Sequence, residues 1–219
     1  MTTSHRFSNE IRAANLGLWK AMQAHPFVRA VEADMLPQAV FKNYLIDEHS
    51  FVEEAIGIFA LMLAKAPGIA EWRWLTGVLV ALTGEQIGYF EATFAALGID
   101  PVEARRRRPE PAAVTAFRRG MRSMAEAGSY AEVVAIMLAA EWMYATWCAR
   151  AAKGSIGDEQ LRRWVHLHAA PEFAAQAAWL RDQLDAVAPL LDEKERSAVI
   201  AAFGEALRLE IDFHAAAFA

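Results

Sequence analysis

The sequence predicts an all-α fold, and three observations carry the prediction. Alanine is abundant while the helix breakers are few, with 12 glycines and 8 prolines among 219 residues; alanine is the best helix former and those two the worst. No segment sustains the apolar/polar alternation, bounded by turn residues, that marks a half-buried strand. Helix start and stop signals instead divide the whole chain into about eight segments, a number suited to a helical bundle. At this length, with 55% hydrophobic residues, one well-buried core and a single domain over residues 1–219 are expected.

Taken in order, the first helix is expected over about residues 8–24, ending before the triplet HPF. A long second helix opens near Pro37, because proline is favoured at the first helical position, and runs to about Lys65. The third covers about 70–97 and stops at Gly98. The run RRRR at 105–108 lies between Pro101 and Pro109 and reads as a solvated loop. A fourth helix spans about 111–127 and ends at Gly128. Ser129 and Glu132, spaced as a capping box, start a fifth that continues to about Ala152. Asp158 opens a shorter helix, Pro171 begins another, and Asp192 with Glu195 caps the last. No internal repeat, low-complexity tract or linker interrupts the series.

Several classes of function are disfavoured. The net charge of −5 supplies no general attraction for phosphate backbones, and no basic stripe or helix-turn-helix stands out, so no nucleic-acid partner is expected. The N-terminal MTTSHRFSNE lacks the apolar core of a signal peptide, and apolar stretches such as AIGIFALMLA at 55–64 are too short to span a bilayer. A soluble cytoplasmic protein without a membrane partner is expected. The single cysteine, Cys148, permits neither an intrachain disulfide nor a CxxC metal site and reads as a buried structural thiol.

The chemistry lies in the acids. Residues three and four apart on a helix share a face, so the neighbours of each carboxylate show where it points. Glu48 shares its face with Phe41, Tyr44, Leu45, Phe51 and Val52, and Glu85 with Val78, Leu82 and Tyr89. Glu141 has Val134, Met137, Leu138, Tyr144 and Cys148, while Glu210 has Phe203, Leu207, Phe213 and His214. Asp47, beside Asn43, Ser50 and Glu54, is assigned to a wetter face. An ionised carboxylate in an apolar interior costs several kcal/mol unless paired, hydrogen-bonded or protonated. Four such acids on four helices are therefore expected to line a polar pocket, with raised pKa values suited to proton transfer. His214, Tyr44 and Tyr144 lie one turn from an acid and His168 is expected to face inward, whereas His25 sits at a helix end where capping or packing explains it, and His49 reads as part-exposed. Phe51, Phe117, Tyr144 and Phe213 are candidates to sandwich a flat heterocycle.

The stretches HPFV at 25–28, FKNYLIDEHSFV at 41–52, GSYAEVVAIMLAAEWMY at 128–144, Trp164 through PEF at 171–173, and LEIDFH at 209–214 together resemble the TenA (thiaminase II) family. The resemblance implies a heme-oxygenase-like helical fold, assembly as a homotetramer or homodimer, and action on the aminopyrimidine half of thiamin and its breakdown products. It places Glu48 where the family has an aspartate that binds the pyrimidine's amino and ring nitrogens, and Glu210 at the acid/base glutamate. Phe51, Phe117, Tyr144, His168 and Phe213 fall at pocket positions where aromatic side chains, often tyrosines, are usual; Phe117 and His168 depart from the tyrosine pattern. Where cysteine-type members have their nucleophile this sequence has Ala140, within Ala139-Ala140-Glu141-Trp142-Met143-Tyr144. The chain thus resembles the subgroup without that cysteine, in which a pocket glutamate compensates, with Glu141 as the candidate. The expected function is hydrolysis of an aminopyrimidine with no cofactor or metal: Glu48 holds the ring, Glu210 protonates the departing amine, and Glu141 with Glu85 handles the water. Two alternatives remain at this point. One is a noncatalytic pyrimidine-binding protein. The other is a di-metal oxygenase, since four glutamates with His168 and His214 match a di-iron bundle site by count but lack its paired Glu-x-x-His spacing.

Overall fold

A computed structural model describes residues 6–219, and these form α-helices without a β-strand among them. In chain order the helices are α1 (Phe7–Ala14), α2 (Leu16–Gln23), α3 (Pro26–Glu32), α4 (Gln38–Lys65), α5 (Ile69–Ala81), α6 (Ile87–Leu97), α7 (Pro101–Arg107), α8 (Ala112–Ala127), α9 (Tyr130–Ala151), α10 (Glu159–His168), α11 (Pro171–Val187) and α12 (Glu193–Ala216). A π turn, Leu82–Gln86, joins α5 to α6, and a 3-10 turn, Ala188–Leu190, follows α11. The first five residues of the N-terminal stretch read above as lacking a signal lie outside the described residues. No helix among the described residues is long and apolar enough to cross a membrane.

Most helix ends obey the local chemistry read from the sequence. Gly98 closes α6 at φ 62°, a left-handed conformation that glycine adopts without a Cβ penalty. The Asp158 carboxylate accepts from the Gln160 and Leu161 amides at 2.9 and 3.0 Å, and Pro171 is the first residue of α11. At the start of α12, Asp192 and Glu195 exchange reciprocal bonds of 2.8 Å.

Four local expectations are corrected. The helix expected over 8–24 is broken at Asn15, whose side-chain amide donates to the Ile11 and Ile200 carbonyls at 3.0 Å each and so competes with the helix's own bonding. A helix not foreseen, α3, follows it: Pro26 opens the first turn, and the His25 imidazole caps it by accepting the Phe27 amide at 3.1 Å. Pro37 is the cap of α4 rather than its first residue. The arginine run is not a loop; it forms the end of α7, where the Asp100 carboxylate caps the Val102 and Glu103 amides at 2.9 and 3.2 Å.

The chain divides into two compact units. One comprises residues 131–211 with the described residues up to 36. Its core is α9, in which every residue from Val133 to Tyr144 is buried. A helix without a polar face is stable only when enclosed, and aromatic rings supply the enclosure: Trp19 meets Trp142 at 5.1 Å, Phe27 meets Trp147 at 6.5 Å, and Trp147 stacks on Trp164 at 5.5 Å.

The other unit comprises residues 37–130 and 212–219 and is organised on α4, against which α5 and α8 pack. Lys65, at the end of α4, donates its ammonium to the Ala125 and Glu126 carbonyls at 2.8 and 3.0 Å, neutralising the C-terminus of α8. Asp47 is a further correction, because it is buried rather than wet. Arg108 holds both its oxygens at 3.0 and 3.1 Å and also donates to the Ala216 carbonyl at 3.1 Å. Burial still raises the Asp47 carboxyl above its ordinary value, although Arg108 pulls it down.

Candidate functional site

In the unit built on α4, the sequence-predicted residues Glu48, Phe51, Phe117 and Phe213 come together. Phe51 and Phe117 pack at 4.2 Å between ring centroids, Phe117 and Phe213 at 4.8 Å, and Phe213 meets Tyr44 edge-on at 5.7 Å. The Tyr44 hydroxyl donates to Glu48 Oε1 at 3.3 Å. Both are buried, and the bond spans one turn of α4, so the helix itself sets the pairing. Tyr44 thus links the buried Glu48 carboxyl to a cluster of three phenylalanine rings that pack on one another. His214, also buried, sits 5.5 Å from Tyr44.

In the unit built on α9, Glu141, Tyr144, His168 and Glu210 are all buried. Gln176 of α11 donates its side-chain amide to Glu141 Oε1 at 3.0 Å, whereas Oε2 is buried without a hydrogen-bond partner among the described residues. Burial pushes the Glu141 carboxyl up to about 8, with the Gln176 contact opposing the rise. Tyr144 stands 5.3 Å from His168, which packs on Trp164 at 4.2 Å and against Phe173 at 4.9 Å. His168 Nδ1 donates to the Trp164 carbonyl at 2.9 Å, fixing the tautomer with Nε2 as acceptor. Burial carries this imidazole down to about 4, so it is neutral at pH 7.

One of the four acids does not point inward. Glu85 is exposed. It lies in the π turn Leu82–Gln86, whose wider winding advances fewer degrees per residue than an α-helix and turns Glu85 away from the face of Val78 and Leu82. The α-helical phase used on the sequence does not apply there.

Among the remaining candidates, Cys148 is buried as expected and His49 is part-exposed. Among the described residues, no three His, Cys, Asp or Glu side chains are grouped as a metal centre requires. Sequence reasoning missed Gln176. The signal was present, since Gln176 shares its face of α11 with Phe173, Trp179 and Leu180, but the same-face test was applied to carboxylates and not to amides.

The TENA/THI-4/PQQC family model matches residues 12–219. The chain is 28% identical over 200 residues to an aminopyrimidine aminohydrolase of Halalkalibacterium halodurans, with 90% of this chain and 88% of that protein covered. A TenA homologue from Pyrococcus furiosus superposes with a TM-score of 0.87 at 20% identity, over 96% of this chain and 99% of that one. A domain with a heme oxygenase-like fold from Shewanella denitrificans superposes with a TM-score of 0.75 at 14% identity, over 96% and 91%. The all-α fold is therefore heme-oxygenase-like.

Proposed function

The chain belongs to the TENA/THI-4/PQQC family, and on that premise we propose that it is a thiamin-salvage hydrolase converting an aminomethylpyrimidine, or a formylated relative, to hydroxymethylpyrimidine without a cysteine nucleophile. The observation that carries the reading is Glu141, a buried helical carboxyl with one oxygen held and the other open, next in sequence to the alanine at the nucleophile position. The 28% identity to a protein named for aminopyrimidine hydrolysis supports the substrate class.

In this reading the bond between the exocyclic methylene and its nitrogen breaks, and water oxygen bonds to the carbon. Glu210 gives a proton to the departing nitrogen, and ionised Glu141 takes one from the water. Glu48 binds the amino and ring nitrogens of the pyrimidine while Phe51, Phe117 and Phe213 contact its faces; Tyr144 and His168 complete the aromatic and hydrogen-bonding environment. No metal or cofactor enters the reaction. The match across residues 12–219 supports treating the chain as one TenA-like domain, and the exposed apolar side chains of α5, Ile69, Trp72 and Trp74, support a homotetramer or homodimer.

Glu210→Gln tests the reaction directly. It is expected to keep the far-ultraviolet circular dichroism of the parent and to lose turnover by at least roughly two orders of magnitude, as removal of a general acid does. Near-native turnover would contradict the assignment.

A further inference from the structure

We propose that Gln176 is a positioning residue for Glu141, fixing Oε1 as an acceptor so that proton transfer runs through Oε2 alone. The inference rests on the hydrolase reading for its functional meaning, but its geometry stands independently.

An amide N–H can only donate, so the oxygen it meets at 3.0 Å must accept. The proton of the neutral carboxyl is then confined to Oε2, which is also the oxygen buried without a partner among the described residues. An unpartnered buried oxygen carries an uncompensated desolvation cost, and a substrate or water hydrogen bond made there relieves it. Gln176 comes from α11 and Glu141 from α9, so the contact ties the carboxyl to a second helix and stops its terminal torsion from exchanging the two oxygens. Burial raises the carboxyl's value and the Gln176 contact lowers it, and among the described residues no charged side chain adds to either. Gln176 is thus a polar contact through which the protein sets both the orientation and the basicity of this group.

The test reads Glu141 without depending on turnover. In the wild-type protein, nitrogen-15 spectra should show the Gln176 side-chain amide moving with pH and a midpoint near the carboxyl's own, about 8. In Gln176→Met, which keeps length and removes the donor, the infrared carboxyl band identified by its loss in Glu141→Gln should titrate at a higher pH by roughly half a unit or more, because a contact that favours the ionised form has gone. An activity profile, if there is activity, should shift the same way. A Gln176 amide that is indifferent to pH from 6 to 10, or an unmoved Glu141 midpoint in folded Gln176→Met, overturns the positioning role. The wild-type spectrum decides the matter even if the variant does not fold. A shifted midpoint in a protein without turnover would retain the positioning role and sink the hydrolase reading, so the two failures are distinct.

Discussion

At the scale of the residue, Glu141 makes predictions of opposite sign for rate and stability. As the proposed base it must be ionised, so turnover should rise with pH through about 8, and Glu141→Gln should abolish that rising limb along with most of the rate. For stability, the carboxyl moves from its ordinary 4.5 to about 8 on folding. Between those values the unfolded chain gives up its proton while the folded one keeps it, so stability falls as pH rises through the window. Glu141→Gln keeps the acceptor for Gln176 and removes the titration; its melting temperature should exceed the parent's at pH 9 and converge on it near pH 4. His168 works from the other end: with its folded value lowered to about 4, it contributes stability above 6.5 that is lost as pH falls through 4. Side-chain phase made Glu48, Glu141 and Glu210 legible as inward acids. It failed at Asp47 because a partner 61 residues away, Arg108, lets a charge be buried, and no local pattern encodes that pairing.

At the scale of the element, the arginine run shows what the sequence conceals. Asp100 and Pro101 carry the start signals of α7, yet Pro109 and the crowding of charge suggested a loop. The helix puts Arg108 at its end, where it bonds both Asp47 and the Ala216 carbonyl and ties α4 to the C-terminal helix within one unit. Arg108→Met strands a buried carboxylate, and in urea titrations should cost about 3 kcal/mol, at the low end for a buried pair because Arg108 keeps some contact with solvent. Adding Asp47→Leu should restore most of the loss; a double variant as unstable as the single one would contradict this account. The π turn is the second lesson. It displaces Glu85 from the phase that an unbroken helix over 70–97 assigns, and nothing in LTGEQ announces it. Glu85→Gln should leave turnover within about twofold of the parent, as surface substitutions away from a site do. Caps, by contrast, were legible at Gly98, Asp158 and Asp192, since each depends on a side chain or a φ angle within a few residues.

At the scale of the whole molecule, the fold class follows from composition and punctuation alone, because helices bond within themselves and leave their signature in local sequence. The heme-oxygenase-like arrangement does not follow from those signals; the resemblance to TenA proteins implied it, and superposition on solved structures shows it. Assembly is a property of the exposed surface, where Ile69, Trp72 and Val80 lie open on α5. Light scattering behind size exclusion should give the mass of two or four chains, and a monomer at micromolar concentration would remove that part of the proposal. The central claim, cysteine-free and metal-independent hydrolysis of an aminopyrimidine, is tested most directly by mass spectrometry of chelator-treated protein incubated with aminomethylpyrimidine, with thiamin as a second substrate. The account predicts hydroxymethylpyrimidine from the aminopyrimidine, and its loss in Glu141→Gln and Glu210→Gln. No product from either substrate with well-folded protein would contradict the account.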